Sequence, residues 1–147
     1  MKRPSKPVGA GTNIRPYACS FANDLLGRLA FQFLRAANEG DDEAIHDLRT
    51  SIRRFSRCLA AFGQFFSRAE VRRIRKQLRK CMKLAGEIRN RDIALALMKN
   101  ACISSRSALA QELREQRRQG HAALASLLAR RTHKDFSLKW RQRLQIG

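Results

Sequence analysis

The sequence lacks the features that define several common protein classes. Its three prolines all precede residue 17, and no apolar stretch approaches the roughly 18 residues of a membrane span. The N-terminal residues also lack the apolar segment of a signal peptide. None of its four cysteines belongs to a CxxC pair or to a cluster with histidine: Cys19, Cys58, Cys81 and Cys102. We therefore expect a cytoplasmic protein with no membrane partner, whose cysteines are reduced thiols of the core.

Acidic residues are also scarce, and this scarcity bears on function. The chain has 12 Asp and Glu against 31 Lys and Arg, which gives a formal net charge of +19. Enzymes that cleave phosphates usually hold Mg²⁺ with several carboxylates, and most carboxylates here are explained as helix caps. No Ser/His/Asp or Cys/His pairing is evident either. We predict no catalysis, no metal site and no cofactor, and a polyanionic partner for the excess positive charge.

Apolar residues recur at helical spacing along most of the chain and predict an all-α fold. Leu, Ile, Phe and Ala supply most of the apolar residues, which favours helices over strands. We predict a mobile basic tail over residues 1–15 and one domain over residues 16–147, an antiparallel bundle of about six helices. The helices are predicted from Tyr17 to Gly40, from Asp41 to Phe66, from Ser67 to a break at Gly86, from Asp92 to about Cys102, from Ser104 or Ser105, and from Asp135.

The second predicted helix has an apolar face and a separate row of cations. Its apolar positions are Ile45, Leu48, Ile52, Phe55, Leu59, Phe62 and Phe66. His46, Arg49, Arg53 and Arg57 fall in a second band about 130° away at 100° per residue. The third predicted helix repeats the arrangement with Arg72, Lys76, Arg79 and Lys83. Such a row is often only a solvated face, but two rows on successive helices favour contact with a polyanion.

Three segments resemble signatures of the CHAD family, the conserved histidine α-helical domain. The run AIHDLRTSIRRFSRCLAAF resembles the signature V-H-x-x-R-V-x-x-R-R-L-R, with His46, Arg49, Arg53 and Arg54 matched. Thr50 stands where the family usually has Val, and Ser56 departs from the last Arg of the signature, which we assign to the adjacent Arg57. The run AGEIRNRDIALAL resembles a second signature, roughly L-G-x-x-R-D-x-D-V, with Arg89 and Asp92 matched and Asn90 replacing the usual Asp. A later basic segment with a second histidine is similar to Arg114, Arg117, Arg118 and His121.

The resemblance spans residues 20–145 and implies a function. Proteins of this family are all-helical, with two related bundles around one basic groove, and they bind inorganic polyphosphate, in some cases at polyphosphate granules. This chain resembles the N-terminal half of such a domain, so we expect a homodimer that completes the two-bundle arrangement. The predicted polyphosphate-binding residues are His46, Arg49, Arg53, Arg54, Arg57, Arg72, Lys76, Arg79, Lys83, Arg89, Arg114, Arg117, Arg118 and His121.

Other roles remain open for several of these residues. His46 could be solvated or satisfied in the core, and His121 could serve packing as well as binding. Arg89 could pair with Glu87 or Asp92, and Asp92 is more typical of a helix cap than of a ligand. A different function is also open, because a charge of +19 attracts RNA or DNA as well. Against nucleic acid, seven of the eight Phe occupy apolar helical positions, which leaves few rings for base stacking.

Overall fold

The computed structural model describes residues 14–147, which form five α-helices and one short 3₁₀ turn. The helices are α1 (Ile14–Asn38), α2 (Asp42–Ala61), α3 (Arg68–Asn100), α4 (Ala108–His133) and α5 (Phe136–Leu144), with the 3₁₀ turn Gly63–Phe65 between α2 and α3. The described residues contain no strand, so the predicted all-α class is confirmed with five helices instead of six. The predicted tail lies outside the described residues, except for residues 14 and 15, which belong to α1.

Most helix ends lie where local chemistry predicts them. Gly40 ends the α1–α2 turn with a φ of +61°, a left-handed conformation that favours glycine. Asp41 then caps α2, because its side chain accepts a hydrogen bond from the backbone N–H of Ala44 at 2.7 Å. Ser67 and Asp135 cap α3 and α5 in the same way. These four predicted boundaries are confirmed.

Two other predicted boundaries are wrong. The second predicted helix was expected to reach Phe66, but α2 stops at Ala61 and the 3₁₀ turn follows. The start of α4 was expected at Ser104 or Ser105, whereas Ser107 caps it through the N–H of Ala110 at 3.2 Å. Ser104 instead accepts a hydrogen bond from a backbone N–H two residues later, within the turn before α4. Ser104, Ser105 and Ser107 have the same side chain and lie within four residues, so the sequence alone does not show which of them caps α4.

The third and fourth predicted helices form one continuous helix. α3 has 33 residues and runs through both Gly86 and Asp92. Ala85 and Ile88 are fully buried on either side of the break predicted at Gly86, and their packing outweighs the helix-weakening effect of one glycine, about 1 kcal/mol. Asp92 is not a cap: its carboxylate pairs with Arg117 of α4. Tertiary contacts therefore decide the length of α3.

Four helices form a bundle, and the fifth packs against it. α1 packs on α2, α2 on α3, α3 on α4, and α4 again on α1. α5 contacts α1, α3 and α4 and seats Trp140 among aromatic rings of the core. The centroid of the Trp140 ring lies 6.2 Å from that of Phe55 and 4.9 Å from that of Phe136, and the ring centroids of Phe136 and Phe33 are 4.6 Å apart. The long α3 and the packed α5 thus position the cations described below.

The cysteines differ in their surroundings. Cys58 and Cys81 are buried, and burial raises the pKa of each thiol to about 11. Cys19 is half-buried and Cys102 is exposed, so the prediction of a core thiol is wrong for Cys102. All four are free thiols. None of the described helices is apolar over a long enough stretch to cross a membrane.

Candidate functional site

The cationic row of α2 lies on the surface opposite a buried apolar face. The predicted apolar positions of α2 and of the turn after it are buried, apart from the half-buried Phe62. His46, Arg53, Arg54 and Arg57 are exposed, and Arg49 is half-buried. None of these five side chains forms a salt bridge or hydrogen bond with another described residue.

The cations of α3 are equally free of partners. Arg72, Lys76, Arg79 and Lys83 are all exposed and form no ion pair within residues 14–147. All 12 Asp and Glu of the chain lie in that range, and none pairs with these four residues or with the α2 cations. Most carboxylates instead serve as caps or pair elsewhere, as Glu70 does with Arg73 at 3.1 Å.

The two rows lie on neighbouring antiparallel helices. At one end Asp42 of α2 pairs with Arg89 of α3. At the other end Ala60 of α2 lines a groove with Val71 and Arg72 of α3. The helices are in contact between these points, over about 27 Å at 1.5 Å per residue.

This register places particular cations side by side. At 100° per residue, Arg49 and Arg53 lie within about 20° of the direction of Asp42 and Ala60, the two positions that face α3. Interpolation between the two contacts puts Arg53 at the level of Arg79. We call the two rows together the α2–α3 surface, although Arg54 and Arg57 lie on the side of α2 that is turned toward α1. The surface is defined by eight cations: Arg49, Arg53, Arg54, Arg57, Arg72, Lys76, Arg79 and Lys83.

Arg49 has one donor that the described residues leave unsatisfied. Its Nε is enclosed and has no hydrogen-bond acceptor within residues 14–147. A buried donor without a partner costs roughly 1–3 kcal/mol. An oxygen from water or from a bound anion would remove that cost, so the side chain is suited to receive an acceptor at the seam between the helices.

Comparison with protein families identifies the fold. A family model described as the CHAD domain matches residues 23–146. The chain belongs to the CHAD family. The match covers most of the chain and confirms the resemblance seen in its sequence, and CHAD domains are associated in general with polyphosphate binding. Comparisons with curated proteins and with solved structures gave no match.

Two α4 residues matched to the CHAD pattern hold the helices of this CHAD domain together. Arg117 pairs with Asp92 of α3 and donates a hydrogen bond to the carbonyl oxygen of Gly40 at 3.0 Å. The Nε2 atom of His121 lies 3.0 Å from the carbonyl oxygen of Ala36, and its ring covers Gly40 so closely that a Cβ there would overlap it. Both side chains thus fasten the α1–α2 turn to α4.

Three more predicted site residues also have partners within the CHAD domain. Arg89 pairs with Asp42, not with Glu87 or Asp92 as the sequence suggested. Arg114 donates to the carbonyl oxygen of Ser105. Arg118 pairs with Glu115 at 2.7 Å, and this contact raises the pKa of Arg118 and lowers that of Glu115. The structure therefore separates the predicted site residues into the α2–α3 surface, a set with partners in the chain, and His46, which has no partner within residues 14–147.

His46 and Arg54 also face a second groove, which sequence reasoning missed. A cavity of about 860 Å³ between α1, α2 and α5 is lined by both residues together with Arg28 and Arg141. Arg141 is held there by a hydrogen bond from its Nε to Asn23 Oδ1 at 2.6 Å. No sequence signature marked Arg28, and only the docking of α5 brings Arg141 to this groove.

The described residues bring together no metal-binding group. Within residues 14–147 there is no set of three or more His, Cys, Asp or Glu side chains arranged to hold an ion. Asp24 and Asp47 line the groove beside His46, but these two carboxylates do not form a metal-binding group with it, and three arginines line the same groove. The chemistry available at the site is that of hydrogen-bond donors and positive charge.

Proposed function

We propose that this CHAD domain binds inorganic polyphosphate along the α2–α3 surface. The observation that supports the proposal is the set of eight cations on two adjacent antiparallel helices, none of which pairs with a carboxylate of residues 14–147. Each row repeats every three or four residues, which corresponds to steps of about 4.5 to 6 Å along the helix. The surface is therefore a line of repeated donors.

A linear polyphosphate matches such a surface chemically. It carries negative charge along its whole length and has no base edge to read, so repeated donors suit it better than one shaped pocket. Arg can direct two N–H groups to one phosphate, whereas Lys acts as a point charge. Both residue types are present on the α2–α3 surface. Release of condensed counterions should make the affinity fall steeply as salt concentration rises.

Binding without cleavage is part of the proposal. Hydrolysis assisted by Mg²⁺ needs carboxylates grouped around the metal. In residues 14–147 the carboxylates act mainly as caps and as partners of separate arginines, for example Asp41 at the start of α2 and Asp92 beside Arg117. Incubation with polyphosphate and Mg²⁺ should release no phosphate above the rate without protein; steady release at catalytic protein concentrations would refute this point.

Competition between polyanions tests the proposed ligand. Labelled long-chain polyphosphate, tRNA and duplex DNA would be titrated at equal phosphate concentration and moderate salt. The proposal expects polyphosphate to displace both nucleic acids. The opposite order would favour the nucleic-acid alternative, for which the structure provides some exposed rings: Tyr17 and Phe31 are each 63% exposed, and Phe21 is 40% exposed. The expectation that few aromatic rings remain for stacking is therefore only partly met.

We further propose that the domain forms a homodimer through the free end of the α3–α4 hairpin. The α1–α2 turn docks at Arg117, and α3 continues for eight residues beyond Asp92, about 12 Å past that contact. This projecting end carries exposed apolar side chains: Ile93, Leu97, Ile103 and Leu109. A second copy would cover them and supply the second bundle that family members contain.

The mass in solution tests the dimer. Sedimentation of the wild type should give twice the chain mass, and Leu97→Asp should give a monomer. Asn100→Asp adds the same charge on an exposed position of the same helix end and should stay dimeric. A monomeric wild type at micromolar concentration would contradict the dimer without affecting the proposed ligand.

Localisation at polyphosphate granules in the cytoplasm follows from the proposed ligand. Binding along an exposed surface would tether the protein wherever long polyphosphate accumulates. Imaging of the tagged protein in cells with and without polyphosphate should show foci only in the former; foci that persist without polyphosphate would contradict this localisation.

A further inference from the structure

A second basic region, next to the α3 row of the α2–α3 surface, lies where α3 meets α4 and α5. It is a cavity of about 450 Å³. Six of its ten lining residues are cations and none is a carboxylate: Lys80, Arg130, Arg131, Lys134, Lys139 and Arg143. No sequence signature pointed to it, because its cations come from three separate segments that only the packing of α5 brings together.

The cavity has a firm apolar floor beneath a cationic rim. Phe136 and Trp140 of α5 line it, and they are only 5% and 2% exposed. Trp140 is fixed between the rings of Phe136 and Phe55. At the rim, Arg131 is held by a hydrogen bond from its Nη1 to Gln77 Oε1. The positions of the charges are therefore set by packing as well as by sequence.

Most of the rim charge has no counter-charge in the chain. Arg143 has a distant carboxylate, Glu70, at 3.7 Å. Lys80, Arg130, Lys134 and Lys139 form no salt bridge or hydrogen bond through their side chains with any residue of 14–147. A concave surface lined by one sign of charge focuses its potential and attracts counter-ions.

Helix-end electrostatics accounts for only part of this cluster. Arg130 and Arg131 lie in the last turn of α4, where cations interact favourably with the free carbonyl groups. That effect is confined to one helix end and does not explain Lys80 of α3 or Lys139 of α5, which point into the same cavity from other helices. Cations from three helices therefore line one concave surface, as the polar groups of a ligand pocket do.

We propose that this cavity binds a compact anion that carries several phosphate groups. The volume suits a short phosphate chain and not a long polymer lying along a surface. Lysines dominate the partner-free rim and supply point charges, while Arg130 adds a forked donor. The two aromatic rings are too buried to stack on a base, which argues against recognition of the base of a nucleotide. The site shares no residue with the α2–α3 surface, although its Lys80 lies one helical turn from Lys76 of that surface.

The protein contains a reporter at this site. Trp140 is the only tryptophan of the chain and lines the cavity. Tripolyphosphate would be titrated at fixed ionic strength and followed by Trp140 emission and by calorimetry, with sodium sulfate as the ionic control. We expect a saturable change with tripolyphosphate and a much weaker one with sulfate.

Two double variants make the test specific. Lys134→Ala with Lys139→Ala removes two exposed rim charges and should raise the Kd for tripolyphosphate at least tenfold. Lys99→Ala with Arg106→Ala removes the same charge at the other end of the hairpin; Lys99 is about 28 Å along α3 from Lys80. This control should stay within twofold of the wild type. Circular dichroism checks the fold of each, and Lys80→Ala repeats the test from another helix.

Three results would overturn the proposal. Equal weakening in both double variants would show that only total charge matters. Absence of saturable binding by both emission and calorimetry would show that the cavity takes no such ligand. Loss of the tripolyphosphate response in a variant of Arg49, Arg53 and Arg57, with the Lys134 and Lys139 variant unaffected, would move the binding to the α2–α3 surface. The first two results do not bear on whether long polyphosphate binds there, and the third would support such binding.

Discussion

The sequence predicts Arg117 as a ligand-binding residue, whereas in the structure its side chain joins helices. Its guanidinium lies between the carboxylate of Asp92 and the carbonyl oxygen of Gly40, and so connects α3, α4 and the α1–α2 turn. His121 acts on the same turn from one helical turn further along α4. By contrast, Arg53 and Arg57 have no partner in residues 14–147. Only the positions of carboxylates and carbonyls in space distinguish these two kinds of arginine.

Replacement of Arg117 should therefore affect folding more than binding. In the native fold the side chain of Asp92 is only 13% exposed, so Arg117→Ala, which removes its cation, should lower the free energy of unfolding by about 2 kcal/mol. Urea unfolding followed by circular dichroism measures this. Arg118→Ala, one residue away on an exposed pair, should leave the urea midpoint unchanged. If Arg117→Ala instead weakened polyphosphate binding strongly at unchanged stability, Arg117 would be a ligand-binding residue.

The cysteines allow a second prediction at this scale. Because burial raises the pKa of Cys58 and Cys81 to about 11, both should remain protonated and unreactive at pH 8. Cys102 is exposed and should be alkylated first. Mass spectrometry after brief iodoacetamide treatment identifies the labelled sites. Between about pH 9 and 11 the unfolded thiols ionise while the buried ones do not, so these two residues should lower stability as pH rises through that window. Rapid labelling of Cys81 in folded protein at pH 8 would contradict the burial.

At the scale of the element, α3 is the helix that sequence patterns described least well. A glycine and a possible cap residue, Gly86 and Asp92, coincide with a weakening of the apolar periodicity and suggest two helices. The structure has one, because Ala85 and Ile88 pack in the core across the supposed break and Asp92 has an ion-pair partner on α4. Long-range partners of this kind cannot be read from a local window. The boundaries at Gly40, Ser67 and Asp135 could be predicted because their chemistry is local.

The continuity of α3 gives a matched pair of glycine substitutions. Gly86 lies inside α3 with open space where a Cβ would be, so Gly86→Ala should raise the free energy of unfolding by about 0.5 to 1 kcal/mol. Gly40 has a φ of +61°, and a Cβ there would overlap His121, so Gly40→Ala should destabilise the protein strongly. Thermal unfolding of both variants checks the signs. Destabilisation by Gly86→Ala would indicate that α3 is broken at this point.

At the scale of the whole molecule, the charge of +19 is not spread evenly. The carboxylates are used to cap α2 and α5, to join α2 to α3 at Arg89, and to join α3 to α4 at Arg117. The cations that have no partner within residues 14–147 are concentrated on the α2–α3 surface and around the cavity beside Trp140. The sequence allowed the first region to be predicted, because each row lies on one amphipathic helix. The second could not be, since it depends on how α5 packs.

The central claim, that long polyphosphate binds along the α2–α3 surface, is tested most directly by removing Arg49, Arg53 and Arg57 together. The control triple variant Arg15→Ala, Lys99→Ala and Arg106→Ala removes the same charge from exposed positions elsewhere. Affinity for long-chain polyphosphate would be measured at one moderate salt concentration, with unfolding curves to show that both proteins fold. We predict that Arg49→Ala, Arg53→Ala and Arg57→Ala weaken binding by at least a hundredfold, and the control by less than tenfold. Equal affinities of the two folded variants would contradict the account.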